Sequence, residues 1–383
     1  MIPLPTRSGS ALLTALLGLL VLELAVAGVL YVGTQEAVIA QAYAQRIRAR
    51  LAAESAVHLA LAQWPGDSLR ALLPGGVLRI AGAGGSLAGA AASDAEIERL
   101  HGSWYVVNGT GRTVRSGPPA ARAAALVSML ETASLWQDFG AAVTAAGDVA
   151  VAASATVDAL HTSAVPAAWS AAMCPAAGLA DAHSSLGSLV RPALRVAPSS
   201  NIVIDPGAVV AGSPASVRDS TLSATAAFAG VGPLTLDRLA AMADRVEAGS
   251  LHLAAASTGS TCLTGAHGNW GDPSAPGPPC QGYLPLIYAP GDLEVLSGEG
   301  QGMLVVRGRL RLAPGTLFAG AILALGGADA RGTVLGALRA GPGASAIEGS
   351  ATFNVCALWR AFTGPTPFRK PYRRGARWWL PAF

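Results

Sequence analysis

Eight carboxylates have neighbours or spacings that could serve glycoside chemistry. They are Asp148, Asp158, Asp205, Asp237, Asp272, Asp292, Glu294 and Glu299. Hydrolysis of a glycosidic bond needs two carboxyl groups facing one groove, and lyase chemistry needs a base beside a cation. Most of these residues follow Gly or precede Pro, where a short acidic side chain stabilises turns. Asp292 and Glu294 stand two apart and would share a strand face, as any solvated pair would. We interpret the group as turn residues and expect no catalytic residue.

The four cysteines, Cys174, Cys262, Cys280 and Cys356, allow three full pairings. No Cys-x-x-Cys occurs, and no His stands at ligand spacing from another His or a Cys, so a zinc site is poorly supported. In an exported chain such cysteines form disulfides. The segment between Cys262 and Cys280 is rich in Gly and Pro and needs closure at its ends. We predict that this pair is bridged, with Cys174 and Cys356 either free or paired across the body.

Within that segment, His267, Asn269 and Asp272 could ligate a metal. A loop closed by the cysteines and filled by Trp270 explains the same residues, and we favour it. The glycine-rich run at 82–89 lacks the Lys and the helix start of a phosphate loop, and no Gly-x-Ser-x-Gly elbow occurs. We expect no metal and no cofactor.

Charge is concentrated at the C-terminus. The net charge is +3, yet without Arg369, Lys370, Arg373, Arg374 and Arg377 the chain has 21 basic and 23 acidic residues. A near-neutral body has no nucleic-acid footprint, and we expect no nucleic-acid partner. In the tail, 362–383, these cations alternate with aromatics that include Trp378 and Trp379. Such a tail suits an anionic surface, but we favour a strap that caps an open end of the body and shields edge strands.

The elements that position these residues begin with one long helix. Residues 10–33 are apolar apart from Thr14 and Glu23, long enough to span a bilayer. The helical pattern continues to Trp64, and Pro65-Gly66 ends it. The predicted element is a transmembrane and amphipathic helix over 10–64. Glu23 is costly in lipid unless paired. It is either a contact with an assembly partner or a protonated or snorkelling side chain.

The charges around this helix conflict with an external body. Arg7 precedes the span, but Arg46, Arg48 and Arg50 follow it, and by the positive-inside rule the body would lie in the cytoplasm. The cysteines and the β character of the body favour the opposite orientation, which we adopt.

The rest of the chain is predicted to be mainly β, giving an α+β fold. Residues 66–132 form a small β layer, with Asn108-Gly109-Thr110 as a turn. Residues 140–361 contain short runs bounded by Gly, typical of a right-handed β-solenoid-like body, although no strict period emerges. An irregular β-sandwich is the alternative. Thr235 and Asp237 mark the start of a short helix on that body.

Three segments resemble one family. "TRSGSALLTALLGLLVLELAVAGVLYVGTQE" followed by "ARLAAESAVHLALAQW" resembles the N-terminal region of PilX-like minor pilins of type IV pili. "CLTGAHGNWGDPSAPGPPCQGYLPLIYAPGDLEV" and "ATFNVCALWRAF" are similar to the cysteine loop and last strand of large members with solenoid bodies. The resemblance implies a leader, 1–9, that prepilin peptidase cuts between Gly9 and Ser10. Thr14 departs from the pattern, since major pilins carry Glu there.

The resemblance implies a function as well as a fold. It implies a non-enzymatic minor pilin or pilus assembly factor, held in the inner membrane with its body in the periplasm or on an extracellular pilus. Its partners would be other pilins, pilus assembly proteins and prepilin peptidase. The alternatives are a permanently anchored structural or adhesive protein and, third, an exported carbohydrate-active enzyme.

Overall fold

The computed structural model describes residues 8–65, 68–69, 72–80, 93–112, 121–129, 135–136, 138–160, 169, 173–174, 180, 191–223, 225–274, 277, 279–369, 371 and 379–381. The chain divides into two compact units. The first comprises Met1–Ser128 with Tyr372–Phe383, and the second comprises Met129–Pro371. The fold is α+β and mainly β, as the sequence predicts.

The first unit joins one long helix to a small antiparallel sheet. The helix, α1, runs over Ser8–Ala62. The strands, numbered in chain order, are β1 (Val77–Ile80), β2 (Ser93–Arg99), β3 (Trp104–Gly111), β4 (Ala121–Ser128) and, last in the chain, β27 (Trp379–Pro381). Their order in the sheet is β1-β2-β3-β4-β27.

Small residues allow α1 to lie close against β3. The buried face of the helix includes Ala49, Ala53 and Val57, each at most 1% exposed. A Cβ atom on Gly109 would stand 2.2 Å from the Ala53 carbonyl oxygen, and one on Gly111 would stand 2.0 Å from that of Ala49. The prediction of a turn at Asn108-Gly109-Thr110 is therefore wrong, because this tripeptide lies inside β3 and its glycine makes room for the helix.

Within the described residues, the second unit contains short strands and short helices. The strands are β5 (Val143–Ala145), β6 (Val149–Val151), β7 (Thr156–Asp158), β8 (Leu194–Val196), β9 (Ile202–Ile204), β10 (Val209–Ala211), β11 (Ser216–Arg218), β12 (Gly230–Val231), β13 (Leu234–Thr235), β14 (Arg245–Val246), β15 (Gly249–His252), β16 (Ser257–Thr258), β17 (Thr261–Cys262), β18 (Leu286–Ala289), β19 (Leu293–Ser297), β20 (Glu299–Val306), β21 (Leu310–Leu312), β22 (Leu317–Ala324), β23 (Ala328–Ala330), β24 (Thr333–Ala340), β25 (Ser345–Ile347) and β26 (Ser350–Phe353). The helices are α2 (Leu236–Met242), α3 (Val355–Thr363) and α4 (Thr366–Arg369). Thr235 caps α2 by accepting the Arg238 N–H, as the sequence predicts.

Two parallel sheets form a solenoid-like stack. From β18 to β26 successive strands alternate between an 11-stranded and a 7-stranded sheet. In the smaller sheet Leu293 pairs with Leu310 and Leu310 with Ala328, so a coil takes 17 or 18 residues. In the larger sheet Leu317 pairs with Thr333, a spacing of 16. This near-regular coil length is the period that the sequence does not reveal.

The coils do not stack in chain order. The first coil, β5 to β7, pairs with β8 to β10 on one side and with β24 to β26 on the other. After β11 a crossover segment, residues 219–243, carries the chain to the opposite end of the stack, where β14 and β15 begin a second run. That run builds back until its last coil meets the first. The solenoid is continuous in space but circularly permuted in sequence.

A column of glycines marks where the larger sheet divides into two branches. In β24, residues 333–336 pair with β26, whereas residues 338–340 pair with β5. Gly302, Gly320 and Gly336 lie in register there with φ of 108°, 147° and 140°. Residues that carry a side chain rarely adopt this conformation, so glycine is required along this column, which reaches the branch point in β24.

The segment after the last coil is a helix. The resemblance of "ATFNVCALWRAF" implies a final strand, but only residues up to Phe353 continue as strand, and α3 follows. Asn354 caps it by accepting the Ala357 N–H at 2.9 Å. Phe362 packs edge-on against Trp136 at 5.2 Å. Burial of this apolar face favours the helix over a strand.

The tail shields a different edge from the one expected. Trp379–Pro381 pairs with β4 in the small sheet of the first unit, not with the solenoid-like body. The prediction of a cap on the solenoid end is wrong for these three residues, because the free edge of β4 offers the backbone groups they need. Lys370, Arg373, Arg374, Arg377 and Trp378 lie outside the described residues.

Candidate functional site

The N-terminal half of α1 is an uncovered apolar surface. Every residue from 11 to 44 is exposed. The large apolar side chains are between 53% exposed, at Val26, and 73%, at Val29, in the stretch from Leu12 to Val32. Within the described residues, α1 is the one helix that is both long enough and apolar enough to cross a membrane. Such a surface needs lipid or other apolar helices around it.

Glu23 lies in the middle of this surface. Its neighbours Leu22 and Leu24 are 66% and 64% exposed. Among the described residues no side chain forms an ion pair or hydrogen bond with the Glu23 carboxylate. The carboxylate is therefore available to a partner outside the chain. Thr14 differs, because its hydroxyl donates to the Ala11 carbonyl at 3.0 Å within the same helix.

Gly9 and Ser10 lie in the first turn of α1, which begins at Ser8. Their backbone is described, while residues 1–7 of the expected leader fall outside the described ranges. Processing between Gly9 and Ser10 stays a prediction.

Cys262 and Cys280 are joined in a disulfide, with their Cα atoms 4.8 Å apart. Trp270 inside this loop is fully buried and packs edge-on against Phe318 at 6.3 Å. Gln301, whose role the sequence does not reveal, donates from Nε2 to the carbonyl oxygens of Cys280, Gln281 and Tyr283 at 3.2, 2.8 and 3.0 Å. The bridge and one buried amide hold the loop on the body.

The would-be metal ligands of this loop have separate roles. Asn269 is fully buried and donates to the carbonyl oxygens of Ala256 and Leu263 at 3.2 and 2.9 Å. His267 is 79% exposed, with Nδ1 3.6 Å from Glu247 Oε2. Within the described residues no three His, Cys, Asp or Glu side chains are grouped to hold a metal ion.

Cys174 and Cys356, left open by the sequence, are also bridged, with Cα atoms 5.6 Å apart. The bridge ties the start of α3 to Cys174, which lies in one buried cluster with Trp169. Arg360 on α3 lies 4.4 Å from the Trp169 ring centroid. Burial lowers the pKa of Arg360 to about 10, so this guanidinium carries a desolvation cost.

Several carboxylates considered for glycoside chemistry accept backbone N–H groups. Asp148 accepts from Asn201 at 2.7 Å, Asp158 from Leu160 at 2.7 Å and Asp292 from Arg309 at 2.8 Å. Glu294 accepts instead from the Ser250 hydroxyl at 2.8 Å. Asp292 and Glu294 thus have different partners.

Of the basic residues expected in the tail, Arg369 is the one whose side chain is described. It is exposed at the end of α4 and donates from Nε to the Thr363 carbonyl at 2.9 Å. Trp379 begins β27.

Comparison with known proteins yields little. No model of a protein family and no curated protein matches the sequence. Among solved structures, the chain is similar to the competence-associated pilin ComZ from Thermus thermophilus, with 11% identity and a TM-score of 0.22. The match covers 87% of this chain and 95% of the pilin.

Proposed function

We propose that this chain is a pilin-class envelope protein, a non-enzymatic minor component or assembly factor of a type IV pilus or pseudopilus. Its apolar helix lies in the inner membrane, its body lies outside the cytoplasm, and its partners are other pilins or pilus assembly proteins. The observation that carries the proposal is the division of α1 into an exposed apolar half and an alanine-faced half that packs on β3.

This division gives one helix two environments. The buried half fixes the helix to a folded head, since Gly109 and Gly111 bring the backbones together. The exposed half has the length of a bilayer core and presents apolar side chains on every side. It can exchange lipid for neighbouring helices of the same kind at little cost, because lipid tails and aliphatic side chains are equally apolar. A subunit that leaves a membrane to enter a helical fibre core needs this property.

The N-terminal sequence supports the same proposal, because the resemblance to PilX-like pilins falls on this helix and its leader. Prepilin peptidase then acts between Gly9 and Ser10.

Assembly is tested by shearing surface fibres from the native host and probing them for the chain. We expect the chain in the sheared fraction or in a detergent-stable complex with other pilins. Gly109→Val should remove it from both, because the new side chain would displace α1 from β3. Gly265→Val is the matched control, since a Cβ atom there meets nothing within 4 Å. A chain found only as an uncomplexed membrane protein would contradict the proposal.

The second candidate is a permanently anchored structural or adhesive protein that never enters a fibre. Thr14 favours it, because major pilins carry Glu at this position and the Thr14 hydroxyl donates to the Ala11 carbonyl of the same helix. The two candidates differ in whether the leader is removed.

A further inference from the structure

One end of the solenoid-like stack is formed by β9, β10 and β11, and we call these three strands the open end. Among the described strands, β9 pairs with β6 alone, β10 with β7 alone and β11 with β8 alone. Val203, Ile204 and Val209 are 56%, 45% and 52% exposed there. The open end therefore presents branched apolar side chains beside strand edges, which is the arrangement that most readily pairs with another strand.

Ile204 is the last member of a column of core residues in the smaller sheet. In register order the column is Leu251, Val295, Leu312, Ala330, Ile347, Val151 and Ile204. Every member before Ile204 is at most 4% exposed, whereas Ile204 is 45% exposed. Each of the buried members is covered by its neighbours along the stack, and Ile204 has such a neighbour on one side among the described strands. A further strand beside β9 would bury it as the others are buried.

The opposite end of the stack does not match the open end. Leu251, at the other end of the same column, is only 4% exposed. The terminal strand of the larger sheet there, β14, carries Arg245, whose Nη2 lies 3.2 Å from Glu247 Oε1. A head-to-tail contact would thus place uncharged strands against a covered and charged end. The surface that matches the open end is the open end of a second copy, in a contact with two-fold symmetry.

The backbone of β9 suits this two-fold contact. The Asn201 carbonyl accepts the Val149 N–H at 2.9 Å, and the Asp205 N–H donates to the Val151 carbonyl at 2.9 Å. Because backbone groups alternate in direction along a strand, those of Ile202 and Ile204 are directed at the open edge.

A two-fold axis through Val203 would pair β9 antiparallel with β9 of the second copy. Ile202 would then lie opposite Ile204 of the second copy, and the two residues would exchange both backbone hydrogen bonds. Their side chains would stay on the inner face of the sheet, because residues opposite one another share a face. The buried column would continue from one copy into the other.

Charge is compatible with this register. The strands β9 and β10 contain no charged residue. Antiparallel pairing about Val203 places Asn201 opposite Asp205 of the second copy, and both residues are exposed in the single chain. The Asn201 amide can donate to that carboxylate, so no like charges meet across the axis.

We propose that the open end binds the open end of a second copy of this chain, with β9 paired antiparallel to β9 across a two-fold axis. The proposal goes beyond the pilin proposal, because it concerns the second unit and requires neither the membrane helix nor a fibre. Failure of either proposal leaves the other standing.

A cysteine on the axis tests the contact directly. Two bridges take up all four native cysteines, so Val203→Cys adds one free thiol. Across the axis its Cα atom would lie about 4.5 Å from that of the second copy, within the range of a disulfide. The full chain, in an excess of detergent micelles, is mildly oxidised and resolved by non-reducing gel electrophoresis. We expect a covalent dimer.

Val246→Cys is the matched control, since Val246 is also an exposed valine, at 64%, and lies on β14 at the opposite end of the stack. We expect this variant to remain mainly monomeric under the same oxidation. Equal dimer yields from the two variants would mean random collision and overturn the proposal. Absence of a dimer from Val203→Cys would also overturn it, leaving a strand of a different protein as the occupant.

A charge at the open end tests the contact without any cross-link. Ile204→Lys can fold as a single chain, because a side chain at this position reaches solvent. In the dimer the ammonium group would be buried without a partner, so the dimer dissociation constant should rise at least about tenfold. The measurement is sedimentation velocity of the full chain in micelles, with the thermal unfolding midpoint as a check on folding.

Val246→Lys is the control for this variant and should change the dissociation constant by no more than about twofold. If Ile204→Lys dimerises as tightly as the parent, association runs through another surface, such as α1, and the proposal is wrong. A parent chain that forms no dimer would overturn it as well.

Discussion

The glycine column offers the most direct test of how the solenoid-like body is held together. At Gly320 the backbone has a φ of 147°, and a Cβ atom would stand 1.9 Å from the Gly302 carbonyl oxygen of the neighbouring coil. Gly320→Ala therefore combines an unfavourable backbone conformation with a steric overlap. The overlap is with backbone, so no side-chain rotation can relieve it.

The expected cost follows from these two effects. Holding a non-glycine residue in a sparsely populated backbone region costs about 1–3 kcal/mol. Overpacking against a fixed neighbour adds about 1–3 kcal/mol. We expect Gly320→Ala to lower the free energy of unfolding by about 4 kcal/mol, a large part of the roughly 5–15 kcal/mol that stabilises a folded protein.

Two matched glycines separate the two effects. Gly315 has a φ of 79° but open space around it, so Gly315→Ala should cost only about 1–2 kcal/mol. Gly291 has neither a positive φ nor a neighbour within 4 Å, and Gly291→Ala should be neutral or stabilise by about 0.4–1 kcal/mol. The assay is urea unfolding of the full chain in micelles, followed by far-UV circular dichroism. A cost for Gly320→Ala no greater than that for Gly315→Ala would refute the packing of coils at this column.

Three further predictions concern the loop, the body and the membrane helix. Gln301→Leu should destabilise the protein by about 2–3 kcal/mol in the same urea assay, since it removes three hydrogen bonds and leaves the Tyr283 carbonyl oxygen without a donor among the described residues; an unchanged midpoint would contradict the role given to this amide. The hydrogen bond from Arg309 holds the pKa of Asp329 below its usual value, so its stabilising effect is full at neutral pH and is lost as the pH falls through the lowered pKa. Asp329→Asn should therefore flatten the loss of unfolding free energy in acid, and a parallel acid profile would argue against the pair. Glu23→Leu should ease membrane insertion by roughly 2.5–3.5 kcal/mol but reduce recovery of the chain in sheared fibres; full recovery would mean that Glu23 has no partner.

Helices that are marked by apolar spacing and by capping or terminating residues could be predicted from the sequence. The apolar run and the stop at Pro65 define the long helix within a few residues, and Thr235 marks the start of α2. The helix α3 was also readable, because Val355, Leu358 and Phe362 share a helical face behind the cap Asn354. The resemblance to a final strand obscured this signal.

Features that arise from tertiary packing could not be read in the same way. Gly109 is a plausible turn residue in sequence, and only the approach of α1 shows why it lies in a strand. The coil period is concealed because register rests on short runs of different apolar residues. The circular order of the coils has no local signal at all.

Surface features of the chain also differ in whether they can be predicted from the sequence. The exposed surface around Glu23 is contiguous in sequence and is visible as an apolar run with one charge. A cavity in the second unit, by contrast, is lined by Asp138, Arg195 and Arg339, which are far apart in the chain. It exists because the last coil returns to the first and the crossover segment lies over their shared sheet. The spacing of these residues along the sequence does not predict such a cavity.

The measurement that tests the pilin proposal most directly is the intact mass of the chain purified from the membranes of a native host with active prepilin peptidase. The proposal predicts a mature chain that begins at Ser10, so that residues 1–9 are absent from the mass. Replacement of Gly9 by a bulky residue should retain the leader and raise the mass accordingly. A mature chain that still begins at Met1 or Ile2 would contradict the pilin proposal and leave the permanently anchored protein.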